Sequence, residues 1–265
     1  LMTYWYPGVR EVIKDVREIS PSSKIVVGGI YATLCFEHAQ GLGADLVLRG
    51  NDLSLLASMM GIAPAREPLP FWEGYDFPGT GAIKLTDGCP FRCSYCSVAQ
   101  VYGEFRPRSL ARCFSELLFM GERGIRNIAF YDDALLYEPE SILIPFLGKV
   151  PGTGISFQFH TPNGLNARFL TPELAGLLFQ AGFKTFYLGL ESGNAEWQKR
   201  TGGKVYAEEI ERGVQCLLHS GVPAKSITAY IIAGHPRGDE QGVEAALRFS
   251  GDLGIRNMLA EFSPI

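Results

Sequence analysis

The sequence predicts an α/β protein in which a partial (β/α)6 TIM-like barrel follows a partial Rossmann-like domain. From residue 81 onward, six short apolar runs alternate with five amphipathic segments. This alternation is typical of parallel strands joined by crossover helices. Residues 1–60 show the same alternation in fewer repeats, and a proline-rich stretch separates the two parts. We therefore predict a first domain at 1–60, a linker at 61–80 and the barrel at 81–265.

The first domain is predicted to contain three strands and three helices. The strands are residues 2–6, 24–27 and 45–49, and the helices are 8–19, 31–40 and 52–60. Three strands make a thin layer, and the first of them begins at the very start of the chain. This part therefore looks like the back half of a doubly wound fold.

The linker is predicted from its composition. Pro64, Pro68, Pro70 and Pro78 lie within twenty residues that show no hydrophobic period. Proline removes a backbone donor and fixes φ, so these residues exclude a helix and favour an extended chain.

The barrel is predicted to have six strands and five helices, the last strand lacking its helix. The strands are 82–85, 127–131, 155–159, 185–190, 227–232 and 257–262, and the helices are 108–123, 139–147, 172–181, 207–220 and 240–253. In such a barrel the functional site lies at the carboxyl ends of the strands. Polar residues just after each strand are therefore the candidates for function.

Three of the six cysteines, Cys89, Cys93 and Cys96, follow the first barrel strand with the spacing C-x3-C-x2-C. Glycine and proline break the backbone there, so the loop can turn several thiols toward one centre. Structural zinc needs four protein ligands, and no second C-x2-C or H-x3-H pair follows. Three thiolates instead suit a [4Fe–4S] cluster that keeps one iron open.

The alternative for these cysteines is ordinary burial or a redox C-x2-C pair. The other three, Cys35, Cys113 and Cys216, lie among apolar residues in helical-looking segments. We predict that they are packing thiols and not ligands.

With Tyr95 before the last cysteine, the loop resembles the signature of the radical S-adenosylmethionine superfamily. The resemblance implies that Cys89, Cys93 and Cys96 hold a [4Fe–4S] cluster whose open iron chelates the amino and carboxylate groups of S-adenosylmethionine. Tyr95 would then pack near the adenine. The resemblance also implies a six-strand partial barrel, reductive cleavage of S-adenosylmethionine to a 5′-deoxyadenosyl radical, and an external electron donor such as flavodoxin or ferredoxin.

Residues 24–39, together with TYWYPGV before them, resemble the cobalamin-binding-like domain that precedes many members of this superfamily. Gly28 and Gly29 could let a ligand approach the backbone, or could form a tight turn. The family's D-x-H-x-x-G ligand motif would lie before residue 1, so cobalamin binding stays open. The resemblance favours methyl transfer or a related reaction on an unknown substrate, whereas a tRNA methylthiotransferase is disfavoured because no basic appended domain is visible.

Two strand ends supply candidates for the cofactor's polar groups. Asp132 and Asp133 follow the second strand, where the family often has a Gly-Gly-Glu segment that contacts the methionine amino group. Carboxylates accept hydrogen bonds from an ammonium, although Asp133 could instead cap a helix. His160 and Asn163 follow the third strand within HTPNG. Hydrogen bonding to a ligand competes there with turn formation, which we favour for Gly164.

The next two strand ends supply the remaining candidates. Glu191 and Ser192 follow the fourth strand, where family members contact the ribose and carboxylate of S-adenosylmethionine. Ile232 and Gly234 end the fifth strand and match part of a loose family segment that packs against adenine. By contrast, His235 precedes a proline, and we predict that it is a turn residue.

The overall composition excludes several classes of function. A net charge of −4 with dispersed basic residues gives no footprint for nucleic acid. No apolar run reaches the length of a membrane helix, and the first residues do not form a leader sequence. We expect a cytoplasmic protein. The second functional hypothesis is a non-catalytic iron–sulfur module for electron transfer or binding, which would not need polar residues at so many strand ends.

The cysteine assignment predicts distinct outcomes for the two sets of thiols. Replacing Cys89, Cys93 or Cys96 with alanine should abolish cluster assembly, because two thiolates cannot hold the cluster. Cys113→Ala and Cys216→Ala should leave the iron content unchanged after anaerobic reconstitution. A cluster that survives loss of Cys93 but not of Cys216 would contradict the assignment.

Overall fold

The computed structural model describes residues 6–50, 52–63, 70–71, 74–75, 79–236, 238 and 240–262. The chain divides into two compact units. The smaller unit comprises Leu1–Leu69, Ser97–Gly103 and Ser263–Ile265, and the larger comprises Pro70–Cys96 and Glu104–Phe262. Each unit is described by itself.

The smaller unit is a short α/β layer. Its elements are α1 (Tyr6–Ile19), β1 (Val26–Val27), α2 (Ile30–Leu34), α3 (Phe36–Gln40), β2 (Leu46–Val47), α4 (Ser54–Met59) and α5 (Val98–Val101). Strands β1 and β2 pair in parallel. Ile13 of α1, Val27 of β1 and Tyr31 of α2 are buried in one cluster, so the helices cover the strands as expected for a crossover unit.

Two expectations for the smaller unit need correction or fall outside the described residues. The predicted strand 2–6 lies outside them except for Tyr6, which begins α1. The predicted helix 31–40 is two helices, because Cys35 leaves the helical region with φ −118° and ψ 47°. Most of the predicted linker 61–80 also lies outside the described residues.

Among the described residues, the larger unit contains eight strands, six of which form one sheet, together with crossover helices. Its strands are β3 (Thr80–Ile83), β4 (Thr86–Asp87), β5 (Arg106–Pro107), β6 (Asn127–Phe130), β7 (Gln158–Leu165), β8 (Phe183–Glu191), β9 (Ile227–Ala233) and β10 (Arg256–Glu261). Its helices are α6 (Leu110–Glu122), α7 (Leu143–Lys149), α8 (Pro172–Gln180), α9 (Ala195–Arg200), α10 (Ala207–His219) and α11 (Glu240–Asp252).

The main sheet has the order β10-β9-β8-β7-β6-β3. Every neighbouring pair in it is parallel. Because neighbours in the sheet follow each other along the chain and β3 and β10 remain at its two edges, the sheet is an arc of a (β/α) barrel. The predicted partial barrel is therefore confirmed.

Aromatic side chains fill the space between this sheet and its helices. Phe130, Phe159 and Phe186 are at most 1% exposed. The ring of Phe130 stacks on that of Phe183 with centroids 5.4 Å apart. Cys113 and Cys216 belong to the same buried cluster, which agrees with their prediction as packing thiols.

Short polar residues set where several helices begin. Ser109 Oγ accepts from Arg112 N before α6, Thr171 Oγ1 accepts from Leu174 N before α8, and Asn194 Oδ1 accepts from Trp197 N before α9. Each of these bonds satisfies one of the orphan donors of a first helical turn.

The third barrel strand differs from its prediction. It was expected at 155–159 but runs over Gln158–Leu165, so the HTPNG segment lies within a strand and the turn predicted at Gly164 is wrong. A register shift against β8 lies between Thr161 and Leu165, which lets the chain pass these residues without reversing. Helix α9 and the β4–β5 antiparallel pair were not predicted.

Within the part of the chain that the structure describes, no helix combines the length and apolar character needed to cross a membrane.

Candidate functional site

The cysteine loop leaves β3 through the short strand β4. Cys89 is half-buried, Cys93 is buried and Cys96 is exposed. The Cys96 amide donates to the Cys93 carbonyl over 3.0 Å, and the Ser94 amide donates to the carbonyl of Thr201 over 2.9 Å. The loop is therefore closed on itself and fastened to the segment that follows α9.

The three thiols influence one another electrostatically. Burial raises the pKa of Cys89 and of Cys93, and the neighbouring cysteines raise both further. The Lys204 ammonium opposes these effects at both thiols, because a nearby cation favours a thiolate. Clustered thiols beside a buried cation are suited to act as thiolate ligands, because the cation offsets part of their negative charge.

No three His, Cys, Asp or Glu side chains among the described residues are placed to hold one metal ion. A single ion such as zinc needs ligands that converge to within about 2.3 Å of one point. A [4Fe–4S] cluster instead takes each thiolate on a different iron. The donor set of three thiols on one short loop fits such a cluster.

Tyr95 links the cysteine loop to an aromatic group. Its ring stacks on Trp197 with centroids 5.4 Å apart, and its side chain acts to lower the pKa of the Cys93 thiol. The His235 ring meets both rings edge-on, at 6.5 Å from Tyr95 and 5.3 Å from Trp197. Burial raises the pKa of Tyr95, so the phenol stays neutral at physiological pH.

A pocket of about 120 Å³ lies beside this aromatic group. Three predicted residues, Ser192, Ile232 and Gly234, line it, together with Trp197 and His235. The lining combines apolar, hydroxyl and aromatic groups with Glu240, and the aromatic part suits a flat heteroaromatic ligand. The structure therefore brings the predicted residues of the fourth and fifth strand ends together.

Glu191 ends β8 in an unusual backbone conformation. Its φ is 67°, and the pairing of β8 with β9 shifts register between Gly189 and Glu191. Gln198 Nε2 satisfies the carbonyls of Leu190 and Ser192 at this irregularity, over 2.6 and 2.9 Å. A bulge of this kind redirects a side chain and is frequent beside functional sites.

The redirected carboxylate of Glu191 pairs with Lys204. Lys204 Nζ lies 3.0 Å from Glu191 Oε1, and the side chains are 18% and 11% exposed. The prediction that Glu191 lies at a strand end of the site therefore agrees with its position. Its Oε1 is engaged by a lysine that sequence reasoning missed, and its contact with a ribose stays a prediction.

Asp132 ties two strand ends together. Its Oδ1 accepts hydrogen bonds from Leu85 N, Thr86 N and Thr86 Oγ1 at 2.6–2.8 Å, whereas its buried Oδ2 has no partner in the structure. Burial raises the pKa of Asp132 to about 6 despite these bonds. The expected role as an acceptor for a cofactor ammonium stays a prediction that falls to Oδ2, because Oδ1 is committed to the backbone and hydroxyl of the cysteine strand.

Asp133 and Asn163 are also engaged by protein groups. Lys84 Nζ lies 3.2 Å from Asp133 Oδ2, and no helix begins directly after Asp133, so the helix-capping alternative is wrong. Asn163 Nδ2 donates to the carbonyls of Tyr131 and Asp132. Both side chains therefore lie near the end of β6, and their binding roles stay predictions.

His160 lies within β7 and not at a strand end. It is the third residue of β7, paired with Ala129 and Thr185, and so does not follow a strand end. Its Nε2 lies 3.2 Å from Asn127 Oδ1 and its Nδ1 lies 3.2 Å from Thr185 Oγ1. Both ring nitrogens are engaged, and burial lowers the pKa of the imidazole.

Sequence reasoning missed Lys204, Trp197 and His235. The first two lie in the segment from α9 to Lys204, whose only local signals are an Asn helix cap and the adjacent glycines Gly202 and Gly203. His235 was expected to be a turn residue, but its ring lines the pocket. Nothing in the order of residues shows that these side chains meet the cysteine loop.

Comparisons with known proteins give one family over most of the larger unit. The sequence pattern of the Radical SAM superfamily matches residues 83–250. An uncharacterized methyltransferase of Pyrococcus horikoshii is 28% identical over 197 residues, which are 72% of this chain and 41% of that protein. The threonylcarbamoyladenosine tRNA methylthiotransferase MtaB of Thermotoga maritima is 24% identical over 252 residues, which are 86% of this chain and 56% of that protein. The chain thus spans about half or less of these relatives.

Solved structures share the fold. The radical S-adenosylmethionine methyltransferase TsrM of Kitasatospora setae has a TM-score of 0.76 and 18% identity, covering 97% of this chain and 58% of that one. The cobalamin-dependent S-adenosylmethionine radical enzyme OxsB has a TM-score of 0.68 and 15% identity, covering 93% of this chain and 42% of that one.

The buried carboxyl of Asp132 predicts a dependence of stability on pH. Its folded pKa of about 6 exceeds the ordinary 3.8, so the contribution of this group is fully present below the ordinary value and is lost as pH rises through 6. The difference between the two values corresponds to roughly 3 kcal/mol. Asp132→Asn removes this titration, so the free energy of unfolding of wild type relative to the variant should fall between pH 4 and 7.

Urea unfolding of both proteins under anaerobic conditions measures this difference. Asp252→Asn, at the exposed end of α11, is the matched control and should follow the wild-type profile. Parallel profiles for wild type and Asp132→Asn would show that Asp132 is not protonated preferentially in the folded state.

Proposed function

The chain belongs to the radical SAM superfamily, and we propose that it is an enzyme that binds a [4Fe–4S] cluster and S-adenosylmethionine to modify an unknown substrate by radical chemistry. The main support is the position of the cysteine loop. The loop of Cys89, Cys93 and Cys96 is hydrogen-bonded to the segment after α9 and lies beside the pocket lined by Ser192, Ile232 and Gly234. The two cofactors, when bound, supply the reductive cleavage that generates a 5′-deoxyadenosyl radical.

The protein's own residues would bind, orient and shield these groups. Cys89, Cys93 and Cys96 would hold the cluster, and the stacking of Tyr95 on Trp197 would fix the cysteine loop against the segment that contains α9. The aromatic group of Tyr95, Trp197 and His235 excludes water from the adjoining pocket. Exclusion of water protects a reactive species and strengthens the electrostatic interactions around it.

The Asp132 and Asn163 contacts would support the site from the side of β6. Asp132 fixes the strand that leads into the cysteine loop, because its Oδ1 holds Leu85 N and Thr86 N. Asn163 fixes the adjacent carbonyls of Tyr131 and Asp132 just after β6. The remaining Oδ2 of Asp132, buried without a protein partner, supports a polar contact to a bound ligand.

We propose methyl transfer as the reaction class. The name of the Pyrococcus horikoshii relative and the cobalamin bound in a TsrM structure similar over 97% of this chain support it. Methylthio transfer is the second candidate, because the Thermotoga maritima relative aligns over 86% of the chain. The family match does not favour a non-catalytic iron–sulfur module. The same proposal has three further parts. The smaller unit binds cobalamin, an external donor supplies one electron, and the protein is located in the cytoplasm, where thiols stay reduced.

Anaerobic reconstitution tests the proposal directly. The reconstituted protein should carry about four irons and four sulfides per chain, as a [4Fe–4S] cluster requires, and should release 5′-deoxyadenosine from S-adenosylmethionine when reduced. A loaded cluster without any 5′-deoxyadenosine would support the non-catalytic module instead. Transfer of methyl or methylthio groups is then distinguished by mass.

The pocket assignment predicts a selective loss of cofactor binding. Ile232→Asp places a carboxylate in the pocket lining, and desolvating it against a ligand costs at least roughly 3 kcal/mol. The affinity for S-adenosylmethionine should therefore fall by about two orders of magnitude, with the iron content unchanged. Isothermal titration of the reconstituted protein measures the affinity.

Leu259→Asp provides the matched control, because Leu259 lies on β10 with its side chain 54% exposed. It should bind S-adenosylmethionine as wild type does. Equal affinity in Ile232→Asp would remove this pocket from the proposed site.

A further inference from the structure

The segment Thr201–Lys204 lies directly against the cysteine loop. The Thr201 carbonyl accepts from Ser94 N over 2.9 Å. A Cβ on Gly202, whose φ is 127°, would lie 3.1 Å from the Cα of Cys93. A side chain at Gly202 would therefore force the loop away. This close backbone contact brings Lys204 to the thiols.

The Lys204 ammonium is a cation that acts on two thiols of the cysteine loop. It lowers the pKa of both Cys89 and Cys93. Burial lowers the pKa of Lys204 itself, but Glu191 and the two cysteines outweigh that effect and raise it. The ammonium therefore stays charged beside the thiols.

Glu191 fixes the position of this charge. Its Oε1 accepts from Lys204 Nζ over 3.0 Å, and the bulge at the end of β8 directs the carboxylate to that place. A Cβ on Gly189 would lie 2.6 Å from Glu191 Oε1 and 3.0 Å from Lys204 Nζ. The bare backbone of Gly189 thus leaves room for the ion pair.

The ion pair has consequences for a negatively charged centre on the loop. Lys204 stabilises thiolates and any added negative charge, whereas Glu191 destabilises them, because charges act strongly in a largely buried site. The electrostatic potential at the loop is the sum of these two effects. Removing the charge of Lys204 should make that potential more negative, and removing the charge of Glu191 should make it more positive.

We propose that Lys204, held by Glu191, is a positioning residue that sets the electrostatic potential at the cysteine loop and so the ease of reducing the cluster bound there. This inference rests on the proposed function, since it concerns the cluster that Cys89, Cys93 and Cys96 would hold. In this role Lys204 acts on the charge of the thiolate-bound cluster and does not contact the substrate.

The reduction potential of the cluster tests this role, because a merely structural contribution of Lys204 would leave that potential unchanged. Wild type, Lys204→Met, Lys204→Arg and Glu191→Gln are reconstituted anaerobically, checked for iron content, and titrated with dithionite by electron paramagnetic resonance. The titrations precede addition of S-adenosylmethionine, so a direct contact with that molecule contributes nothing. Lys199→Met, exposed on α9, is the control.

In Lys204→Met the equilibrium constant for one-electron reduction should fall about tenfold, which is about 59 mV. Lys204→Arg should stay within about threefold of wild type because the charge is kept. Glu191→Gln should raise the constant, and Lys199→Met should leave it unchanged. This pattern of opposite signs is the expected result.

Two outcomes would overturn the inference. The first is a Lys204→Met protein with full iron content and the wild-type potential. The second outcome matters if Lys204→Met takes up no iron. In that case, a Glu191→Gln protein with the wild-type potential would overturn the inference. Failure of wild type itself to bind iron would instead overturn the proposed function.

Discussion

The parallel alignment of six strands places their carboxyl ends along one edge of the sheet in the larger unit. The cysteine loop follows β3, Asp132 follows β6, Glu191 ends β8 and Gly234 follows β9. Parallel strands need crossover helices, so these residues are separated by long stretches of chain. The alignment alone makes them neighbours, and the candidate site depends on it.

Buried charge is stabilised in two different ways at this edge. Asp132 holds two backbone amides and a hydroxyl of the strand leading to the cysteines, and burial still raises its pKa to about 6. Glu191 instead meets a cation, Lys204. A buried ion pair contributes little net stability on average, so a gain in folding stability does not by itself account for this pair. The left-handed backbone of Glu191 supports the same view, because such strain is typical of functional sites.

Local patterns predicted the elements that are marked by hydrophobic periodicity or by residue spacing. The alternation of apolar runs gave β9 and β10 within one or two residues, and the spacing of three cysteines with Tyr95 gave the family, which residues 83–250 match. The same reasoning failed at HTPNG, where turn propensity was expected to decide. Contacts with two neighbouring strands override it. A Cβ on Gly164 would lie 3.3 Å from the backbone of Gly189 in β8, and Tyr230 Oη of β9 donates to the Pro162 carbonyl over 2.8 Å.

The order of residues was enough to predict the class of the fold, the candidate cluster-binding loop and the packing role of Cys113 and Cys216. These features follow from periodicity and from spacing within a few residues, which the order of amino acids states directly. Only the tertiary structure decided that Lys204 faces the cysteines, that Trp197 stacks on Tyr95 and that His160 lies away from the strand ends. The physical reason is that these contacts depend on strand register, on a bulge and on a positive φ at Glu191, and none of the three is specified by the type of residue at a single position.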